Sequence, residues 1–480
     1  MGFELTEITN PLLKVLLVNE DSDYIKKNTE YGVRWIVGQE SPIGERVTRY
    51  NGVMKVGSAT GLVANVGIDD QVVENSFDDI PIFANQKRVQ IGDNTFVQIP
   101  KRYLKTEFKQ EGGINYQYEW VCGVKLGGYR LPLPYQNPDG SEKDYIYVGA
   151  YEASVIGGVA KSKSGEFPSV NITRNNARIA SRKNDGDGTN VNSAYLMTDL
   201  QEAVDCYWIP FWVEFATRNS QAIMQGAVTN AYSANESALS ALTSSNQIVV
   251  SNTSGSNFRL NQTVSIGTSN TDSSIANNRV VTNIEIDTPN VGETTITFDG
   301  DPINIAIGNV IATRGWKTGM TDGVVASSGS FRANDGKHPF KWRGIENLWG
   351  NVWKFIDGLK ISNNVSWIAL NPSDYSDTSS VGGNYQEPFI KLNYINALEN
   401  GHTKEMGFDE RYPFARTPKL VGGGSSTYYS DYYYQSSDDR TALLGGYWIV
   451  SSVAGVSYWN LNNSLTVADF YIGFRLSYRP

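Results

Sequence analysis

Between Thr441 and Pro480, chemically unrelated side chains stand among residues that read as framework. Tyr447, Ile449, Val450, Val453, Ser457, Val467, Asp469, Phe470 and Tyr471 form the first group. Gly445, Gly446, Trp448, Ala454, Gly455, Trp459, Leu461, Ile472, Gly473, Phe474 and Leu476 form the second, with Asn460 and Arg475 among them. Trp448 and Ile472 can already fill inward slots beside Ile449-Val450 and Phe470-Tyr471. Apolar side chains then turned outward on a framed surface are contacts for a partner rather than packing. In the final run, period-two alternation puts Ile472, Phe474, Leu476 and Tyr478 on one strand face, with Arg475 and Ser477 on the other. The chemistry such a set offers is non-covalent recognition.

Other candidates are weaker. Tyr428, Tyr429, Tyr432, Tyr433 and Tyr434 can serve as large amphipathic contacts, or as core whose hydroxyls bond loop backbone. Most are expected to be scaffold, with an outward one or two joining the binding face. His338 and His402 both stand in loop-like text, without a nucleophile elbow or a His-Glu-x-x-His pair. Gly422–Gly424 does not lead from a strand into a helix, so it is a poor phosphate cradle. The 50 Asp and Glu residues allow many glycosidase-type pairs, but nothing singles one out. No catalytic residue and no metal ligand is assigned.

Composition narrows the classes. A net charge of −9 argues against a nucleic-acid footprint and against a polybasic membrane patch. Cys122 and Cys206 alone make neither a disulfide framework nor a cysteine zinc site, and two buried free thiols are expected. No apolar run is long enough to span a bilayer, so no membrane insertion is expected. Leu12–Val18 is short, broken by Lys14 and preceded by Glu4 and Glu7, so it does not read as an export signal. Gly2 and Thr6 match a myristoylation pattern that chance explains better.

The elements that must position the carboxy-terminal set can be read in order. Residues 1–30 read as an attachment segment. Strand patterns follow at Gly32–Val37, Val53–Val56, Thr95–Ile99 ahead of Pro100, Tyr116–Lys125 and Tyr145–Ala153. Thr173 to Lys183 reads as a short helix. Thr198-x-x-Gln201 reads as a capping box opening a longer one, with Pro210 as a kink or restart and Gly226 as a stop. Residues 231–313 are rich in Ser, Thr and Asn, contain no Trp, and repeat short β-branched runs, which suggests a small all-β insertion. Residues 378–405 read as a loop excursion, in a Gly/Asn/Trp-rich stretch of long loops pinned by buried aromatics.

Gly-Gly-x-Trp at 445–448, Ala-Gly-Val-x-Tyr-Trp-Asn-Leu-Asn-Asn at 454–463 and Ile-Gly-Phe-Arg-Leu at 472–476 together resemble the variable region of proteins diversified by diversity-generating retroelements. Phe96–Lys101, Tyr147–Tyr151, Trp212–Arg218 and Asn347–Phe355 extend the likeness to the C-type-lectin-type, formylglycine-generating-enzyme-like domain that carries that region. The resemblance implies an α+β fold, with the ligand-binding domain over 31–230 and 314–480 and the variable region over about 443–476. It implies a receptor-binding protein of a bacteriophage tail, carried in the virion and assembled as a homotrimer. Its ligand would be a bacterial cell-surface protein or glycan, and its amino-terminal region would meet other tail proteins. The oxidase relatives use a late cysteine pair, and no Cys follows Cys206, so that activity is not carried over. Glu387-Pro388-Phe389 departs from the Glu-Pro-Asn motif of calcium-dependent sugar sites at its third residue, so no cofactor is expected beyond a possible structural calcium. Two rival classes are a bacterial surface-displayed variable binding protein and a polysaccharide depolymerase.

Overall fold

The computed structural model describes residues 22–230, 237–378 and 388–480. The segment up to residue 21, with Gly2 and Thr6, lies outside them, as does Glu387 of the Glu-Pro-Phe motif. Helix and strand are mixed along the chain, with strand far outweighing helix.

The alternating text after Tyr31 builds a five-stranded antiparallel sheet. Its order is Val53–Val56, Glu45–Tyr50, Glu30–Ile36, Ile114–Cys122, Tyr103–Glu111. Residues 22–30 belong with this sheet instead of standing apart as a lead-in. Residues 22–28 are helical, the Tyr31 hydroxyl donates to Lys26 O at 3.0 Å, and Glu30 pairs with Arg49 across the sheet.

A second sheet receives the end of the chain. Its order is Tyr195–Met197, Leu476–Tyr478, Tyr145–Gly149, Asn94–Pro100, Lys87–Ile91. Leu476–Tyr478 is therefore an interior strand, and Ser477 is as buried as Leu476. The Ser477 hydroxyl donates to Glu202 at 2.5 Å, and Arg479 reaches Asp199 and Glu202 at 2.8 Å each. Buried charge of this kind persists because the carboxylates are met by guanidinium and hydroxyl donors.

Both expected helices form. Thr173 caps Arg174–Arg182 by accepting the Asn176 N–H at 3.2 Å. The longer helix opens one residue later than the Thr198 box places it, because Asp199 accepts the Glu202 N–H at 3.0 Å. It loosens into a π-helical turn over Ala203–Trp208 and tightens again over Ile209–Phe215. The wider turn accommodates Pro210, which has no N–H to donate. It ends at Ala216, left-handed at φ 52°, well before Gly226, and the chain turns there so that Thr217 bridges Ile43.

Residues 237–313 fold around an apolar core of their own, including Ile248, Val250, Phe258, Val264, Ile266 and Phe298. Their five-stranded sheet runs Gln247–Ser251, Glu293–Phe298, Ala276–Ile286, Thr263–Gly267, Val310–Thr313. The main core lies elsewhere and is aromatic: it holds seven of the 11 tryptophans of the chain, and all 11 are at most 2% exposed.

The largest sheet underlies the carboxy-terminal loops. Its order is Ile390–Ile395, Val365–Ile368, Trp353–Ser362, Arg440–Leu444, Trp459–Asn463, Tyr432–Gln435, Gly401–Met406, Pro418–Val421, and Ile472–Gly473 pairs alongside Trp353 and Lys354. Ile390–Ile395 and Gly401–Met406 correct the loop expected over 378–405, of which residues 379–387 are not described. Asn393, His402 and Lys404 within these strands hide their alternation. Cys122 and Cys206 are buried and free. Among the described residues no helix is long and apolar enough to cross a membrane.

Candidate ligand-binding face

Arg440–Leu444 lies antiparallel to both Trp353–Ser362 and Trp459–Asn463, and delivers the chain to Gly445 and Gly446. Both glycines are left-handed, at φ 93° and 84°, a conformation that side chains resist. Gly445 N–H bonds Tyr458 O, and Gly350 N–H bonds Gly445 O, each at 2.9 Å. The Gly-Asn-Val-Trp turn at Gly350–Trp353 thus braces the start of the variable stretch. Trp448 then enters the core fully, while its carbonyl accepts the Asn230 N–H at 2.6 Å.

The return path is held as tightly. Trp459 Nε1 donates to Arg416 O at 3.1 Å, and Asn460 Oδ1 accepts from Asn463 Nδ2 at 2.8 Å. A Cβ on Gly473 would lie 2.9 Å from Ser169 O. Arg475 is buried without a carboxylate in ion-pair range among the described residues, and clamps loop carbonyls instead. It donates to Gly149 O at 2.8 Å, Glu346 O at 2.5 Å and Asn347 O at 3.1 Å. The thirteen residues read as framework are all buried.

The outward set is placed differently. Tyr447, Ile449, Val450, Val453, Val467, Asp469, Phe470 and Tyr471 are half-buried: none is sealed inside, and none projects freely. Tyr447 and Tyr471 rings lie 4.7 Å apart, and Phe470 lies 5.0 Å from Tyr471 and 6.0 Å from Trp448. Three residues from two separate loops therefore share one aromatic surface, backed by the Trp353 ring 6.4 Å from Tyr447. Ile449, Val450 and Val453 continue it along the turn at Ser451–Val453, whose Ser451 N–H bonds Val228 O at 2.7 Å. Val467 sits on the other arm, in a turn closed by its own N–H to Ser464 O at 3.2 Å. Asp469 Oδ1 accepts the Phe470 N–H at 2.7 Å and shapes that arm from within. Tyr447, Val450, Val453, Val467 and Tyr471 also rest partly on the main core, so each has a packing side as well as an open side.

Ser457 corrects the sequence reading. It is wholly buried, and both its N–H and its hydroxyl donate to Asp431 Oδ2 at 2.8 Å. Asp431 is itself 0% exposed, and its other oxygen has no hydrogen-bond partner among the described residues. Burial raises this carboxyl to about 8, against the pull of the Ser457 bonds. Gly455 leaves it room, because a Cβ there would lie 2.1 Å from Asp431 Oδ1. Ser457 is thus part of the frame.

Sequence reasoning missed Arg314. This first residue after the insertion stacks its guanidinium 5.1 Å from the Phe470 ring centre. Nothing near Arg314 in the chain signals this, since Phe470 is its neighbour only in space. Of the five tyrosines, Tyr428, Tyr429 and Tyr433 are buried, while Tyr432 and Tyr434 are half-buried with rings 4.9 Å apart.

His338, His402 and Lys354 are held in structural contacts. His338 Nδ1 meets Asp335 at 2.9 Å between the Trp316 and Phe331 rings, and His402 Nδ1 meets Ser430 O at 2.6 Å. Lys354, lowered to about 8 by burial, is locked to Glu152 at 2.9 Å and to Gly350 O at 2.6 Å. Among the described residues no group of three or more His, Cys, Asp or Glu side chains is placed to hold a metal ion. No family model matches the chain, and no curated protein matches it.

Proposed function

We propose that the chain is a non-enzymatic binding protein of the retroelement-diversified class, built on a C-type-lectin-type domain and displaying interchangeable side chains from its carboxy-terminal loops. It works at a bacteriophage tail, as a homotrimer in the virion. Its amino-terminal region joins other tail proteins, and its loops grip a bacterial cell-surface protein or glycan. One observation carries the reading: half-exposed Tyr447, Phe470 and Tyr471 share a surface whose supports, Trp448, Trp459, Gly473 and Arg475, are buried. Such a division lets contact residues change at less cost to folding than frame residues, since the loss on substitution grows with the apolar area a side chain buries. Three copies would multiply individually weak contacts.

Sequences of the same locus from many sibling isolates test this. Differences should gather at Tyr447, Ile449, Val450, Val453, Val467, Phe470 and Tyr471, with Ser457 now holding alongside Trp448, Trp459 and Gly473. Variation spread evenly across frame and face would overturn the proposal. So would shortening of a capsular polysaccharide incubated with the protein.

A further inference from the structure

A groove of about 1090 Å³ opens elsewhere, between the first sheet and the strands Ile390–Ile395, Gly401–Met406 and Pro418–Val421, and shares no lining residue with the 447–471 face. Val37, Phe108, Ile395, Leu398 and Leu420 line it at 53%, 53%, 60%, 64% and 46% exposure. A single exposed apolar residue is ordinary, but five along one groove mark an interaction surface.

Arg218 lines the same groove and is only 6% exposed. Its guanidinium is stacked between the Trp35 and Tyr429 rings, 4.1 and 4.3 Å from their centres. It donates to Gln117 Oε1 at 2.8 Å, its Nε has no hydrogen-bond partner among the described residues, and no described carboxylate lies in ion-pair range. Neighbouring cations differ: Arg416 pairs with Glu119 at 2.6 Å and Lys419 with Glu405 at 2.8 Å. Lys404, at the rim, lies 5.2 Å from the Tyr428 ring and has no carboxylate partner among the described residues. In a chain of net charge −9, two uncompensated cations face one unpaired lining acid, Glu399. Burial without a counter-charge pulls the Arg218 pKa down, yet a guanidinium keeps its proton.

The lining also separates a peptide from a saccharide. Pro418–Val421 ends its sheet, with Gly401–Met406 as its one strand partner among the described residues. A strand edge beside an aliphatic wall suits an extended peptide. Aromatic and Arg residues amid apolar surface are the composition of protein interfaces. We infer that this groove docks an extended segment of a partner protein, whose Asp or Glu carboxylate meets Arg218 while flanking apolar side chains cover Phe108, Ile395, Leu398 and Leu420. The planar guanidinium, already held by two rings, offers its free donors to the carboxylate at little entropic cost. Lys404 adds attraction that salt screens.

The test uses the full chain and a fluorescein-labelled peptide, Gly-Leu-Asp-Leu-Asp-Leu-Gly, followed by fluorescence anisotropy. Binding should weaken as salt is raised, and should fall about tenfold or more when Asn replaces both Asp residues. Arg218→Met should cause a similar loss. Because Arg218 is packed between rings and its variant can misfold, exposed Lys404→Glu and Leu398→Ser provide a second line, each weakening binding several-fold with the fold intact. No binding, equal binding of the Asn peptide, or tighter binding of a glucuronate-containing disaccharide would overturn the inference. Light scattering that shows self-association abolished by Leu398→Ser would also overturn it, assigning the groove to a second copy of the chain.

Discussion

Asp431 gives the sharpest prediction. Its carboxyl is wholly buried, accepts two bonds from Ser457 through one oxygen, and makes no ion pair with a described residue. Its pKa rises from 3.8 to about 8, chiefly through burial. The folded protein therefore keeps this proton over a pH range in which the unfolded chain has lost it. Since the folded-state value is the higher one, stability falls as pH rises from about 4 to about 8, and is level beyond. Each pH unit in that window costs up to about 1.4 kcal/mol, so the whole loss is on the order of 5 kcal/mol. Asp431→Asn keeps an oxygen for Ser457 and abolishes the titration, though it leaves the amide N–H groups without an acceptor, at a fixed cost of about 1–3 kcal/mol. Urea unfolding at several pH values, read by tryptophan fluorescence, measures the difference between the two proteins. Tryptophan is absent between Phe215 and Gly315, so this signal comes from the rest of the chain and not from the inserted sheet. The variant should be close to, or less stable than, the native protein near pH 4–5, and should gain on it steadily toward pH 8. A difference that stays constant across this range would refute the reasoning, because the Asp431 carboxyl would then titrate as an ordinary exposed acid.

Three further outcomes are expected. Gly455→Ala pushes a methyl into the Asp431 carboxylate and should cost about 1–3 kcal/mol in urea unfolding, although the backbone there is unstrained. Trp448→Ala should cost about 3–5 kcal/mol, whereas Tyr447→Ala and Phe470→Ala, which are half-exposed, should each cost roughly half as much or less. Equal losses at all three positions would erase the distinction between frame and face. Burial raises the pKa of both Cys122 and Cys206, so a thiol reagent such as Ellman's should label neither until the protein is unfolded, when both should react.

Much of the frame was legible because its causes are local. Gly445 and Gly446 are needed where two successive residues turn left-handed, and Trp448 and Trp459 are too large and apolar to leave in water. Thr173 caps its helix from the position its spacing predicts, and alternation located Asn94–Pro100 and Ile114–Cys122 within a few residues. A drop in aromatic content marked a stretch that folds around a core of its own.

Tertiary structure decided the polar interior. Ser457 reads as an outward residue until Asp431 comes to meet it, and the partners that hold Ser477 and Arg475 inside, Glu202 and the carbonyls of Gly149, Glu346 and Asn347, come from distant parts of the chain. Helix ends followed the same rule, with Ala216 forced left-handed where the chain turns to Ile43 while Gly226 stood unused as a stop. The groove around Arg218 left no local trace, since its walls come from residues as far apart as Val37 and Tyr429. Pattern alone determined which side chains avoid water, because that is a property of each residue. Which polar groups can follow them inside depends on partners that only the folded chain supplies.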